Sequence, residues 1–146
     1  MDDKTYFLGA HRVFSKDKVN SNNTRIMAHN EKKEGQIFRA KLIYKGIYDL
    51  HYDDHQYSMF EWSLGTISVD NKVTPVFSSS SNKPKILVKF QKAEKENELY
   101  YMIDVSSDNY FFIDKDCSRD EYSYFINFTQ DKEKASKFKI QKNDRR

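Results

Sequence analysis

Cysteine is almost missing from this sequence: Cys117 stands alone among 146 residues, which excludes an intramolecular disulfide framework. Glycine (four) and proline (two) are scarce as well, and no glycine-rich phosphate loop can be assembled from them. No stretch approaches the roughly eighteen apolar residues that a membrane-spanning helix needs, so no membrane insertion is expected. The opening MDDKTYFLGAHRVF is acidic with only a short mixed apolar run, unlike a signal peptide. Synthesis in the cytoplasm is therefore expected, as the whole chain or as the mature part of a longer precursor. Charge of one sign is lacking too. The 25 basic and 22 acidic residues are interspersed and leave a net charge of +3, where a nucleic-acid binder concentrates base on one face. No nucleic-acid partner is expected.

What is present is aromatic. Apolar content is 38 % and mean hydropathy −0.89, both low, but ten Tyr, eleven Phe and one Trp offset the deficit, since aromatics bury more area per residue. A disordered chain would lack them. The length suits one domain over residues 1–146, burying roughly two thirds of its unfolded surface.

The region Glu98–Gln141 has the clearest pattern. Leu99–Val105, Tyr110–Ile113, Tyr122–Phe128 and Phe138–Ile140 are strand-length runs of aromatic and β-branched residues. The polar breaks SSDN, DKDCSRDE and TQDKEKASK separate them. Upstream, Thr5–Phe14, Arg25–Ala28, Met59–Leu64, Thr66–Val69, Lys72–Phe77 and Lys85–Phe90 read as strands. Pro75 assigns Lys72–Phe77 to an edge or a late start. Ile37–Tyr48 reads as one half-buried strand with Phe38, Ala40, Leu42 and Tyr44 on its inner face. About ten to twelve strands and no helical stripe predict an all-β fold. Four strands in about a third of the chain suggest a β-trefoil, with another β-barrel or a sandwich as the alternative.

No catalytic constellation is legible, and a non-enzymatic protein without cofactor or metal is expected. His51-Tyr-Asp-Asp-His55 would set two imidazoles on one helical face, yet the segment lacks helical periodicity and reads as a polar loop. Cys117 has Lys115 and Arg119 near it, balanced by Asp114, Asp116 and Asp120, so a plain thiol is expected. The sequons at Asn22 and Asn127 are expected to be silent. Asp49–Ser58 is a polar loop in which tyrosines alternate with acids and histidines. Tyr48, His51, Tyr52, Asp53, Asp54, His55 and Tyr57 are thus the candidate contact residues for a protein partner, since exposed tyrosine supplies contact area at low entropic cost.

The stretch Ile103–Ile113, IDVSSDNYFFI, resembles the interleukin-1 family signature. Ile103 and Asp104 take the apolar and acidic places, Asp108-Asn109 the turn, and Phe111, Phe112 and Ile113 the aromatic-led strand. The closing SKFKIQKND is similar to the family's last strand, and KILVKFQKAEKENELYYMIDV is laid out like the interleukin-18 branch. The Pro-Gly-Trp of the family turn is absent, and Val105 stands where serine is usual. The resemblance implies a β-trefoil made without a signal peptide and binding cell-surface immunoglobulin-domain receptors; a single copy and release by a non-classical route are expected alongside. Without the resemblance, a cytosolic lectin-like or inhibitor-like trefoil binding a glycan or a protein is the alternative. The QxW repeat of ricin-type lectins is missing, and Trp62 is the lone tryptophan.

Overall fold

A computed structural model describes residues 7–10, 18–20, 23–29, 39–53, 61–69, 71–78, 86–94, 98–120 and 123–140. These form β1 (Phe7–Ala10), β2 (Lys18–Asn20), β3 (Asn23–His29), β4 (Arg39–Tyr44), β5 (Ile47–Asp53) and β6 (Glu61–Val69). They continue with β7 (Lys72–Ser78), β8 (Val88–Glu94), β9 (Leu99–Asp104), β10 (Tyr110–Asp120), β11 (Ser123–Thr129) and β12 (Lys137–Lys139). The fold is all-β, as the strand spacing predicts.

Eight strands close on themselves as an antiparallel barrel. Around the ring each strand bonds to the next in the order β3, β11, β10, β9, β8, β5, β6, β7, and β7 returns to β3. β1 and β2 add to β3, β4 to β5, and β12 to β9. Every ring strand sends at least one side chain to the core: Ile26 and Ala28, Ile126, Phe111, Met102, Val88, Leu50, Leu64 and Phe77. Alternation sets this, because residues two apart on a strand share a face. Tyr48, Phe90, Ile113 and Phe128, each two residues from a core member, pack at its margin. Tyr48 meets Phe90 with ring centroids 5.9 Å apart, and Phe111 stands edge-on to Phe128 at 4.9 Å.

Several local readings are corrected. Ile37–Tyr48 is not one strand: Lys45 and Gly46 turn the chain between β4 and β5, and Gly46 takes a φ of 71° that a residue with a Cβ rarely adopts. Of the expected inner face, Ala40, Leu42 and Tyr44 are exposed, and Phe38 lies outside the described residues. Pro75 lies within β7, which is an interior strand bonded to β6 and β3. The β3 ladder covers only Val76 to Ser78, so the proline lacks its N–H where no β3 partner stands. The polar run DKDC continues β10, with register shifts against β11 that absorb the extra residues. The sequence pattern of the last strands puts Phe112, Ile113, Phe138 and Ile140 in the core; Ile113 and Phe138 do pack against it, but Phe111, not Phe112, is the fully buried ring, and Ile140 is exposed.

Candidate functional site

The predicted contact loop is largely a strand. Tyr48, His51, Tyr52 and Asp53 belong to β5, while Asp54, His55 and Tyr57 lie outside the described residues. Tyr48 is half-buried against the core. His51 is engaged on both ring nitrogens: Nε2 lies 2.9 Å from Asp49 Oδ2, and Nδ1 lies 3.1 Å from Ser63 Oγ. A carboxylate only accepts, so Nε2 carries a proton, and in the neutral imidazole Nδ1 then accepts from the Ser63 hydroxyl.

Strand geometry brings these three groups together. Asp49 and His51 are two apart and share a face of β5, opposite to the face of Leu50. His51 is in register with Ser63 on β6, and Ser63 with Ser78 on β7. Ser63 and Ser78 are buried, so a polar row crosses the outer side of three ring strands. Asp–His–Ser connectivity is that of an activated nucleophile. Here the Ser63 residue is 8 % exposed, within a strand flanked by two others. The row therefore acts as a polar clasp between strands. Asp49 Oδ1 is buried with no hydrogen-bond partner among the described residues. No grouping of three or more His, Cys, Asp or Glu able to hold a metal occurs among the described residues.

A second polar network ties the barrel on another side. Arg25 on β3 donates from Nη2 to Asn127 Oδ1 at 2.6 Å, and its guanidinium sits 4.3 Å from the centroid of the Phe125 ring. Asn127 in turn donates from Nδ2 to Asp114 Oδ2 at 2.8 Å. The Asn127 side chain is thus held between Arg25 and Asp114. Burial pushes the Asp114 carboxyl up, but hydrogen bonds from Asn127, the Cys117 thiol and the Asp116 amide, with the Lys72 charge, hold it below its ordinary value. Burial, then the hydrogen bond to Asp114 and its charge, push the Cys117 thiol up. A raised thiol holds less thiolate at neutral pH and is a poor nucleophile.

The β9–β10 connection is organised by Asp104, which is 2 % exposed. Oδ1 accepts from the Ser106 amide and hydroxyl, each at 3.2 Å, and Oδ2 accepts from the Ser107 hydroxyl at 2.7 Å. The Asp104 carbonyl accepts from the Asp108 amide at 2.8 Å, where Asp108 takes a φ of 59°. Ser106, Ser107 and Asp108 are thereby presented to solvent on a fixed frame. The sequence alone does not join His51 to Ser63, because neither strand by itself encodes its register against the other.

Compared with family models, with curated proteins and with solved structures, the chain matches none.

Proposed function

We propose that the chain is a non-enzymatic, cytokine-like binding protein, built as a variant β-trefoil, that engages a cell-surface receptor through its loops and edge surface. The observation that carries this reading is a recurrence in the strand pairing. A step of four elements takes β4–β5 onto β8–β9 and β5–β8 onto β9–β12. The same step takes β5–β6 onto β9–β10 and β6–β7 onto β10–β11. A step backwards takes β6–β7 onto β2–β3. β3 pairs with both β7 and β11, as the hairpins of a three-lobed cap would meet. The first lobe departs from the pattern, because β1 bonds to β3 instead of β4.

The residues that carry the interleukin-1 resemblance support the same reading. Ile103 and Asp104 end β9, the SSDN stretch is the turn that Asp104 anchors, and Phe111–Ile113 fall in β10. A rigid barrel presenting variable connections is a frame for recognition. Of the candidate contact residues, Tyr48 and His51 are spent within the barrel, which leaves Tyr52 and Asp53 at the end of β5, with Asp54, His55 and Tyr57 after it.

A panel of immunoglobulin-domain receptor ectodomains, read by surface plasmon resonance, tests the proposal, followed by alanine at Tyr52, Asp53 and Asp54. Binding weakened by at least one of these substitutions supports the assigned surface. Binding to none of the ectodomains, with signal on a glycan array, would replace the receptor reading with the lectin-like one.

A further inference from the structure

Two short sequence patterns each occur three times. Tyr48-Asp49-Leu50 lies in β5 and Tyr100-Tyr101-Met102 in β9, and in both the third residue is in the core. Tyr6-Phe7-Leu8 repeats the pattern at β1. Phe38-Arg39-Ala40, Val88-Lys89-Phe90 and Phe138-Lys139-Ile140 repeat apolar, basic, apolar at β4, β8 and β12. The strands that carry the two patterns pair in one register. Tyr48 lies opposite Val88 and Tyr100 opposite Phe138. Leu50 lies opposite Ala40 and Met102 opposite Phe90. β5 thus stands between β4 and β8, and β9 between β8 and β12. β1, the third bearer of the tyrosine pattern, has no such place. It is bonded to β3, and the step of four elements would make that pairing β5–β7 or β9–β11, neither of which occurs among the described strands. The two edges that β1 would take are open: among the described residues β4 is bonded only to β5, and β12 only to β9. Side chains on the inner face are uncovered beside them. Ala40 is exposed although its partner Leu50 is in the core. Ile140, two residues beyond Phe138 and so on the same face, is 54 % exposed.

We propose that β1 has a second berth, between β12 and β4, where it closes a barrel of β1, β4, β5, β8, β9 and β12. The repeated register fixes its neighbours. Leu8 lies opposite Ile140, as Leu50 lies opposite Ala40 and Met102 opposite Phe90, and Tyr6 lies opposite Phe38. Carried towards the N-terminus, the same register sets Asp3 opposite Lys41, and an acid facing a cation across a sheet is favourable. Phe7–Ala10 carries no charge of its own to oppose Arg39 or Lys139. The connection allows the place, because positions 11–17 join β1 to β2 and 54–60 join β5 to β6, spans of equal length. In this berth β1 is bonded on both edges instead of one, two open strand edges are closed, and Ile140 is covered. Transfer from β3 is therefore a strap that shuts the barrel. This inference rests on the three-lobed architecture proposed for the chain, and not on receptor binding.

Paired cysteines test it, with Cys117→Ser as background. Residues directly opposite across two antiparallel strands are within disulfide reach. Leu8→Cys with Ile140→Cys reports the second berth. Leu8→Cys with Ala28→Cys reports the first, since Leu8 lies opposite Ala28 when β1 is bonded to β3. Mild oxidation is expected to join Leu8→Cys to Ile140→Cys within one chain, read by peptide mapping. A cross-link to Ala28→Cys alone, with none to Ile140→Cys, would overturn the proposal. Amide hydrogen exchange on the unaltered protein gives a second readout should the double variants misfold. An edge strand leaves alternate amides unpaired, so protection of every amide at residues 39–41 and at 139–140 is expected. Protection of alternate amides only would overturn the berth. A Leu8–Ile140 cross-link in a protein that binds no receptor ectodomain leaves this inference standing. Its absence in a protein that does bind one removes the berth and leaves the receptor reading intact.

Discussion

The Ser107 hydroxyl donates to Asp104 Oδ2 at 2.7 Å, and so locks the turn between β9 and β10 to a carboxylate that is itself buried. Removing this acceptor takes three charge-assisted hydrogen bonds from the turn and leaves the Ser106 amide and both hydroxyls to solvent. Asp104→Ala is expected to cost about 3 kcal/mol, the scale of a charged hydrogen-bond acceptor lost from a buried site. The urea midpoint reads it. A loss no larger than that of Ser106→Ala would show that the turn holds without its carboxylate.

Phe111 and Phe112 are neighbours with opposite fates. Phe111→Ala empties a fully buried site and is expected to cost about 3–5 kcal/mol, whereas Phe112→Ala, half-buried on the other face, should cost much less. Equal drops in melting temperature for the two variants would reverse the facing of β10.

Cys117 should react slowly. With its thiol pushed up by burial and by Asp114, alkylation by iodoacetamide at neutral pH is expected to be slower than for free cysteine. Asp114→Asn removes the negative charge, lowers the thiol towards its ordinary value, and should speed the reaction. A slower reaction in that variant would sink the assignment of Asp114 as the controlling group.

Asp114 also makes stability depend on acid. Its folded carboxyl titrates below its unfolded value, so its contribution is present above about pH 4 and fades as pH falls through the lower, folded value. The stability gap between wild type and Asp114→Asn should therefore close in acid. Urea midpoints of the two proteins at neutral and acid pH give that gap directly, and a gap that widened in acid would contradict the sign.

The clasp at His51 is expected to show itself in stability. Ser63→Ala leaves Nδ1 without its donor and is expected to cost about 1–2 kcal/mol, and Ser63 should resist a fluorophosphonate probe that marks activated serines. Stoichiometric labelling of Ser63 would turn the clasp into a nucleophile and overturn the non-enzymatic reading.

The C-terminal strands were legible because alternation and polar breaks coincide there. The runs beginning at Leu99, Tyr110, Tyr122 and Phe138 start within one residue of β9 to β12, although β10 runs on to Asp120 through residues that read as a polar break. Alternation in Ile37–Tyr48 misled for a physical reason: a two-faced pattern says that one face is apolar, not that this chain's own core covers it. Gly46, inside that stretch, marks the hairpin turn rather than a strand flank. Asp49, His51 and Ser63 could not be joined from sequence, since a one-residue change in register would turn every side chain of β6 to the other face. Phe111 and Phe112 posed the same problem on a smaller scale, because adjacent aromatics give no sign of which one is inside. The ring closure by β3 depends on partners far along the chain, which no local pattern encodes.

That closure governs when the protein can become a barrel during its own synthesis. Arg25 and Asn127, joined by a hydrogen bond, are 102 positions apart, and β3 also needs β7 and β11 for its two ring neighbours. While the ribosome is still building the C-terminal third, β3 has at most β1, β2 and β7 to hold it, and its β11 edge waits open. Contacts of such long sequence separation form late and slowly. A nascent chain paused before Ser123 should therefore remain protease-sensitive, and become resistant only once β11 has left the exit tunnel.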